Sequence, residues 1–233
     1  MAMKRHTNHK SLRLAVLAAA IVVAVVAGNV ALATVVGSKH DFSSGNPSAK
    51  WGTSNTDQIC IFCHTPHNAT TSNMLWNRDL PVANFTPYSS PTLNAAVGQP
   101  GEVSMMCLSC HDGSTAIDQF NRGRSWNPPT MPKIGDIYWP GNPMVDGMGP
   151  NIGGNFGGFS INDLSNDHPI GFVFDAALVA ADPGLQLPAA GTLQLWSGRL
   201  ECATCHEPHT TVNGPFLRMT NSQSQLCNTC HLK

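Results

Sequence analysis

The chain has 233 residues, only 12% of them charged, with a formal net charge of −1. No basic run or patch offers a surface for a phosphate backbone, so nucleic-acid binding is excluded. The informative counts are ten histidines and eight cysteines.

The N-terminus carries Lys4, Arg5, Lys10 and Arg13, an apolar run from Leu14 to Ala27, and Ala31-Leu32-Ala33. A basic region, an apolar core and a small-residue site predict a cleaved secretory signal peptide over 1–33. A membrane anchor is the competing reading. Gly28 and Asn29 interrupt the run, however, and no other segment is long and apolar enough to span a bilayer. The predicted mature chain, 34–233, has 200 residues (233 − 33) and a charge of −5, because four basic and no acidic residues leave with the signal. That length suits one domain or two small lobes.

His40 comes next and belongs to no motif. The cysteines then arrive only as Cys60-Ile-Phe-Cys63-His64, Cys107-Leu-Ser-Cys110-His111, Cys202-Ala-Thr-Cys205-His206 and Cys227-Asn-Thr-Cys230-His231. Each is C-x-x-C-H, the attachment signature of c-type haem. Two thiols about one helical turn apart add to the two vinyl groups of one porphyrin, and the following histidine lies under the iron. Zinc sites and disulfides use paired cysteines too, but neither requires histidine after every second one. Four haem c groups with their iron are therefore expected, using Cys60, Cys63, Cys107, Cys110, Cys202, Cys205, Cys227 and Cys230. His64, His111, His206 and His231 are the proximal ligands.

Four histidines remain in the predicted mature chain: His40, His67, His168 and His209. Four irons need four distal ligands, so the count closes at bis-histidine ligation throughout. His67 follows His64 by three residues and lies on the same side of its porphyrin, so it must reach a different iron. Pro66 also stops any continuing helix. The pattern recurs in Cys202-Ala-Thr-Cys-His-Glu-Pro-His209. The simplest assignment gives His67 to the iron of His111, His209 to that of His231, His40 to that of His64 and His168 to that of His206, with crossed assignments open. Methionines, such as Met74, Met105, Met106, Met131, Met144, Met148 and Met219, are the competing distal ligands and more often fill core.

The motifs form two halves, about 34–121 and 160–233, each with a lone histidine before a doubled motif. Between them lies a Gly/Pro-rich stretch that cannot sustain long helices or strands, with Trp126, Tyr138, Trp139 and Phe156 expected to pack on the haems. Asp163, Asn166 and Asp167 lack EF-hand spacing and read as turn residues that position His168. Short helices are expected at each CxxCH and from Asp175 to Ala181. The fold class is thus a multihaem cytochrome c: mostly irregular coil with short α-helices, little β-strand, and a core formed by four covalently bound haems.

At "VVGSKHDFS", "CHTPH", "DHPIGF" and "CHEPH" the chain resembles the doubled CxxCH family of multihaem cytochromes. The resemblance is nearest to its tetrahaem outer-surface members, which polymerise into conductive filaments. It implies bis-histidine haems in a continuous stack, with one axial histidine supplied by the neighbouring subunit. His40, about seven residues from the predicted mature N-terminus, is the expected donor in a head-to-tail homopolymer. The function read here is extracellular electron transfer as a nanowire subunit, secreted to the cell surface, with other redox proteins or extracellular acceptors as partners. A monomeric periplasmic tetrahaem shuttle is the alternative. A haem reductase comes third, since the ligand count leaves no open iron.

Overall fold

With 21 glycines and 17 prolines, the chain has few stretches that can hold a regular backbone. The computed structural model describes residues 35–46, 56–71, 74–81, 84–112, 119–120, 124–125, 162–214 and 216–232. The chain divides into Met1–Ala33 and Thr34–Lys233. The expected signal peptide, Trp126, Tyr138, Trp139, Phe156, Met131, Met144 and Met148 lie outside the described residues.

Within Thr34–Lys233, each CxxCH starts or ends a short helical piece. The first is a single 3-10 turn, Cys60–Phe62. The second sits at the end of α1, Glu102–His111. Gly101 caps α1 in an extended conformation, Glu102 lies at its positive end and His111 at its negative end. α2, Ala176–Ala181, begins where expected, because the Asp175 carboxylate accepts from the Leu178 amide at 3.0 Å. The third motif is α3, Cys202–Cys205, and the fourth is in α4, Gln225–Asn228. The described strands are two residues long. β1, Gln119–Phe120, pairs with β2, Arg124–Ser125, and β3, Phe172–Val173, pairs with β4, Arg199–Leu200, both antiparallel. Mostly coil, few short helices and little strand is the architecture the sequence predicts.

No continuous apolar core links these pieces among the described residues. Three small clusters do the packing, and each adjoins a motif. Phe62 packs with Phe42, Cys63 and Cys110. Phe85, Leu108 and Leu164 hold α1. Phe172, Phe174, Leu178 and Leu200 surround Cys230. A domain of this length ordinarily buries one larger core.

A polar junction joins the second and third motifs. Glu201 is 2% exposed and precedes α3. Its carboxylate accepts from the Gly101 amide at 3.1 Å, from Ser104 and from Arg199 Nε at 3.1 Å. Ser104 Oγ in turn accepts from the Cys202 amide at 2.9 Å. A Cβ at Gly101 would meet Glu201 Oε1 at 2.5 Å, so a larger residue there would have to displace that carboxylate.

Candidate functional site

None of the eight cysteines is in a disulfide. They lie in a row that follows sequence order. Cys63 interacts with Cys110, Cys107 hydrogen-bonds Cys202, and Cys205 interacts with Cys230 and Cys227. Burial, then Cys110, pushes the Cys63 thiol up to about 12. Burial, then Cys230, pushes Cys205 up to about 11. The bond to Cys202 raises the Cys107 thiol further. The same bond lowers the Cys202 thiol.

The histidines form pairs across the molecule. His64 and His209 have ring centres 5.9 Å apart and planes 16° from parallel. His40 and His111 are 6.1 Å apart at 64°, and His168 and His231 are 6.2 Å apart at 81°. A metal–imidazole bond of about 2 Å on each side sets the centres of two trans ligands roughly 6 Å apart. In each pair, one ring belongs to a CxxCH and the other to one of the spare histidines.

Hydrogen bonds commit the opposite ring nitrogens. His64 Nδ1 donates to the Met74 carbonyl at 2.6 Å and His168 Nδ1 to the Pro169 carbonyl at 2.9 Å. His209 Nδ1 meets Glu207 Oε1 at 2.7 Å. Each leaves Nε2 for a metal, with its orientation fixed from behind. His40 bonds the Pro208 backbone, and burial, then His111, pulls its pKa down to about 4, so its ring stays neutral. A protonated ring has no lone pair to give.

These pairs correct the simplest sequence assignment. His40 stands with His111 rather than His64, His209 with His64 rather than His231, and His168 with His231 rather than His206, although His168 and His206 border the same cavity. The physical reason is the loop after α3. His206 bridges to Leu217 and the Glu207 amide donates to the Phe216 carbonyl at 2.8 Å, so the tail folds back toward the first motif. The sequence assignment gives His67 to the iron of His111, whereas the spare histidine ring that lies 6.1 Å from that of His111 is His40. His67 is exposed, and among the described residues its ring has no bonding or stacking partner. His40, expected to reach a neighbouring subunit, is packed inside its own chain, so its isolation in sequence no longer argues for export.

Sequence reasoning missed several supporting residues. Phe216, buried, stacks on His40 with centres 4.2 Å apart and planes at 14°. Trp76 meets His64 edge-on at 6.0 Å and donates from Nε1 to Ser109 Oγ at 3.2 Å, tying the first motif to α1. Arg78 is fully buried, and its charge opposes in part the rise that burial imposes on the Cys63 and Cys110 thiols. Met74 serves through its carbonyl. Met106 is buried, with its sulfur 3.8 Å from Thr71 Oγ1, and so packs as core. None of these residues has a local signature, because each acts across more than ten positions of chain or through its backbone.

The residues present fit covalent haem. A cavity of about 270 Å³ opens beside Cys202, Cys205 and His206, with Val97, Leu108 and Leu164 among its apolar walls. Residues 197–233 match the family model of the doubled CXXCH motif. That span holds the third and fourth motifs and His209. The motif supports a multihaem c-type cytochrome, with haem bound covalently at CxxCH and a role in electron transfer. No curated protein matches the chain. No helix among the described residues is long and apolar enough to cross a membrane.

Proposed function

We propose that the cytochrome is secreted and carries electrons outside the cell through four bis-histidine c-type haems, as a repeating subunit of a filament. The observation that supports this reading best is the set of three histidine pairs at 5.9 to 6.2 Å. Each haem, when bound, supplies a one-electron iron couple whose potential the protein tunes. The chain's own residues do the rest. The eight cysteines anchor the porphyrins, and the order of the thiols lays the four sites in a row. His64, His111, His206 and His231 hold one face of each iron. His209, His40 and His168 hold the opposite face for His64, His111 and His231. Bonds at Nδ1 hold the rings of His64, His168 and His209 in orientation.

The remaining donor is His67, exposed on the surface. In this reading it serves the iron of His206 in the next copy. A head-to-tail contact of that kind does not close on itself and grows as a filament. The periplasmic shuttle is the same molecule with that contact unmade, and its His206 iron keeps a displaceable position. Carbon monoxide binding to the reduced protein, measured alongside electron microscopy, separates the two. Filaments that bind almost none, with monomers that bind at one iron in four, support the filament. A monomer closed at all four irons overturns the exported ligand. Binding at two or more irons turns the reading toward a reductase.

A further inference from the structure

His40 lies 20 residues before Cys60 (60 − 40), so no attachment point anchors it nearby. His67 and His209, by contrast, each follow a motif histidine by three residues. The loop 35–46 therefore has to place the His40 ring by its own bonds, and it holds two glycines and three serines, which favour no single conformation.

Asp41, the next residue, is 3% exposed and stands at the centre of that loop. Its Oδ2 accepts from the Gly37 amide at 2.7 Å. Its Oδ1 accepts from the Ser43 amide at 3.0 Å and from the Ser43 hydroxyl at 2.5 Å. Its backbone carbonyl accepts from Asn46 Nδ2 at 2.7 Å, and the same Asn46 nitrogen reaches the Ser38 carbonyl at 3.1 Å. Gly37 makes the turn at φ 72°, a conformation open to glycine. The carboxylate thus ties the chain before His40 to the chain after it. Bonds from backbone amides to a charged acceptor are about twice as strong as those to a neutral one. Phe42 then packs edge-on against Phe62 with centres 5.4 Å apart, which sets the whole loop against the first motif. From the other side Phe216 stacks on the His40 ring and Pro208 bonds it.

We propose that the Asp41 carboxylate is a positioning group for His40, folding residues 37–46 into a fixed turn that delivers the imidazole to the iron of His111. This rests on the bis-histidine reading above. Without that carboxylate the Gly37 and Ser43 amides lose their acceptor, the turn opens, and His40 leaves its iron to a small ligand.

The test is carbon monoxide uptake by the reduced, haem-loaded protein, each variant compared with the unaltered protein in the same assembly state. In Asp41→Ala uptake rises by about one molecule per chain, the yield of one opened iron. Added imidazole takes the vacated position and removes the rise, which a general loosening of the fold would not allow. Asp41→Asn keeps one acceptor oxygen but turns an NH2 toward donors, and Ser43→Ala removes one donor, so each gives a smaller rise at the same iron. His40→Ala sets the full rise. A full rise in His40→Ala with none in the Asp41 variants overturns the proposal, as does a rise at several irons that imidazole does not reverse. Where Asp41→Ala yields no haem-loaded protein, Asp41→Asn and Ser43→Ala decide, and uptake unchanged in both overturns it. Uptake unchanged in His40→Ala itself fails the underlying reading instead, so the two failures are told apart by one control.

Discussion

Phe216 holds a left-handed backbone at φ 59°, a conformation that costs a bulky residue on the order of 1 kcal/mol. The fold keeps it because its ring is buried face to face on His40. Leu75 does a related job at φ 50°. Its turn presents the Met74 carbonyl to His64 Nδ1, while its own carbonyl accepts from the Thr65 amide at 2.8 Å. The cover over His40 has a consequence in acid. The folded ring resists protonation down to about 4, against an ordinary value of 6.5. Between those values the unfolded chain binds a proton that the fold refuses, so stability rises with pH there and falls as pH drops from 6.5 toward 4. Iron bound to that ring, as proposed, would extend the window downward with the same sign. The denaturant midpoint should therefore be lower at pH 5 than at pH 7, with a slope of at most about 1.4 kcal/mol per pH unit from this group. His40→Gln should lose that share of the slope.

At the scale of elements, α1 and α3 carry the second and third motifs and meet through one carboxylate. Glu201→Ala would strip the Gly101 amide and Ser104 hydroxyl of their acceptor and Arg199 of its partner. A cost on the order of 2–4 kcal/mol is expected. Urea unfolding checks the magnitude, and hydrogen exchange should place the loss in the amides of α1 and α3. Much of this level was legible in the sequence. Covalent attachment forces contiguous spacing, so every CxxCH announces itself, and Asp175 announces the start of α2. The pairing of histidines was not legible. Nearness along the chain suggested His209 for the fourth motif, whereas the Phe216 hairpin sends it to the first. Glu201 and Glu207 carry no signature of their own in the sequence. Their role depends on Gly101 a hundred positions away and on the geometry of a two-residue step to His209.

At the scale of the molecule, three small apolar clusters stand where one core would be expected; two include motif cysteines and the third includes Leu108, between Cys107 and Cys110. Porphyrins at those cysteines complete the packing in the proposed holoprotein, so haem content and foldedness should not separate. Alkylation of the denatured holoprotein should modify none of the eight cysteines, and haem per chain should be four, matching four motifs. Any reactive thiol would identify a motif left empty.

The His40–Phe216 stack also bears on assembly. Its partners are 176 residues apart (216 − 40), so the first described histidine to leave a ribosome or a translocation channel waits for almost the last segment of the chain. Closing so long a loop is slow, and a topology ruled by distant contacts delays the final folding step. The delay keeps the cysteines reachable while they are being modified. An N-terminus that folded at once would shut the row before its later members had emerged. Closure at Phe216 therefore becomes possible once the first three motifs have emerged, and before the fourth, which starts at Cys227.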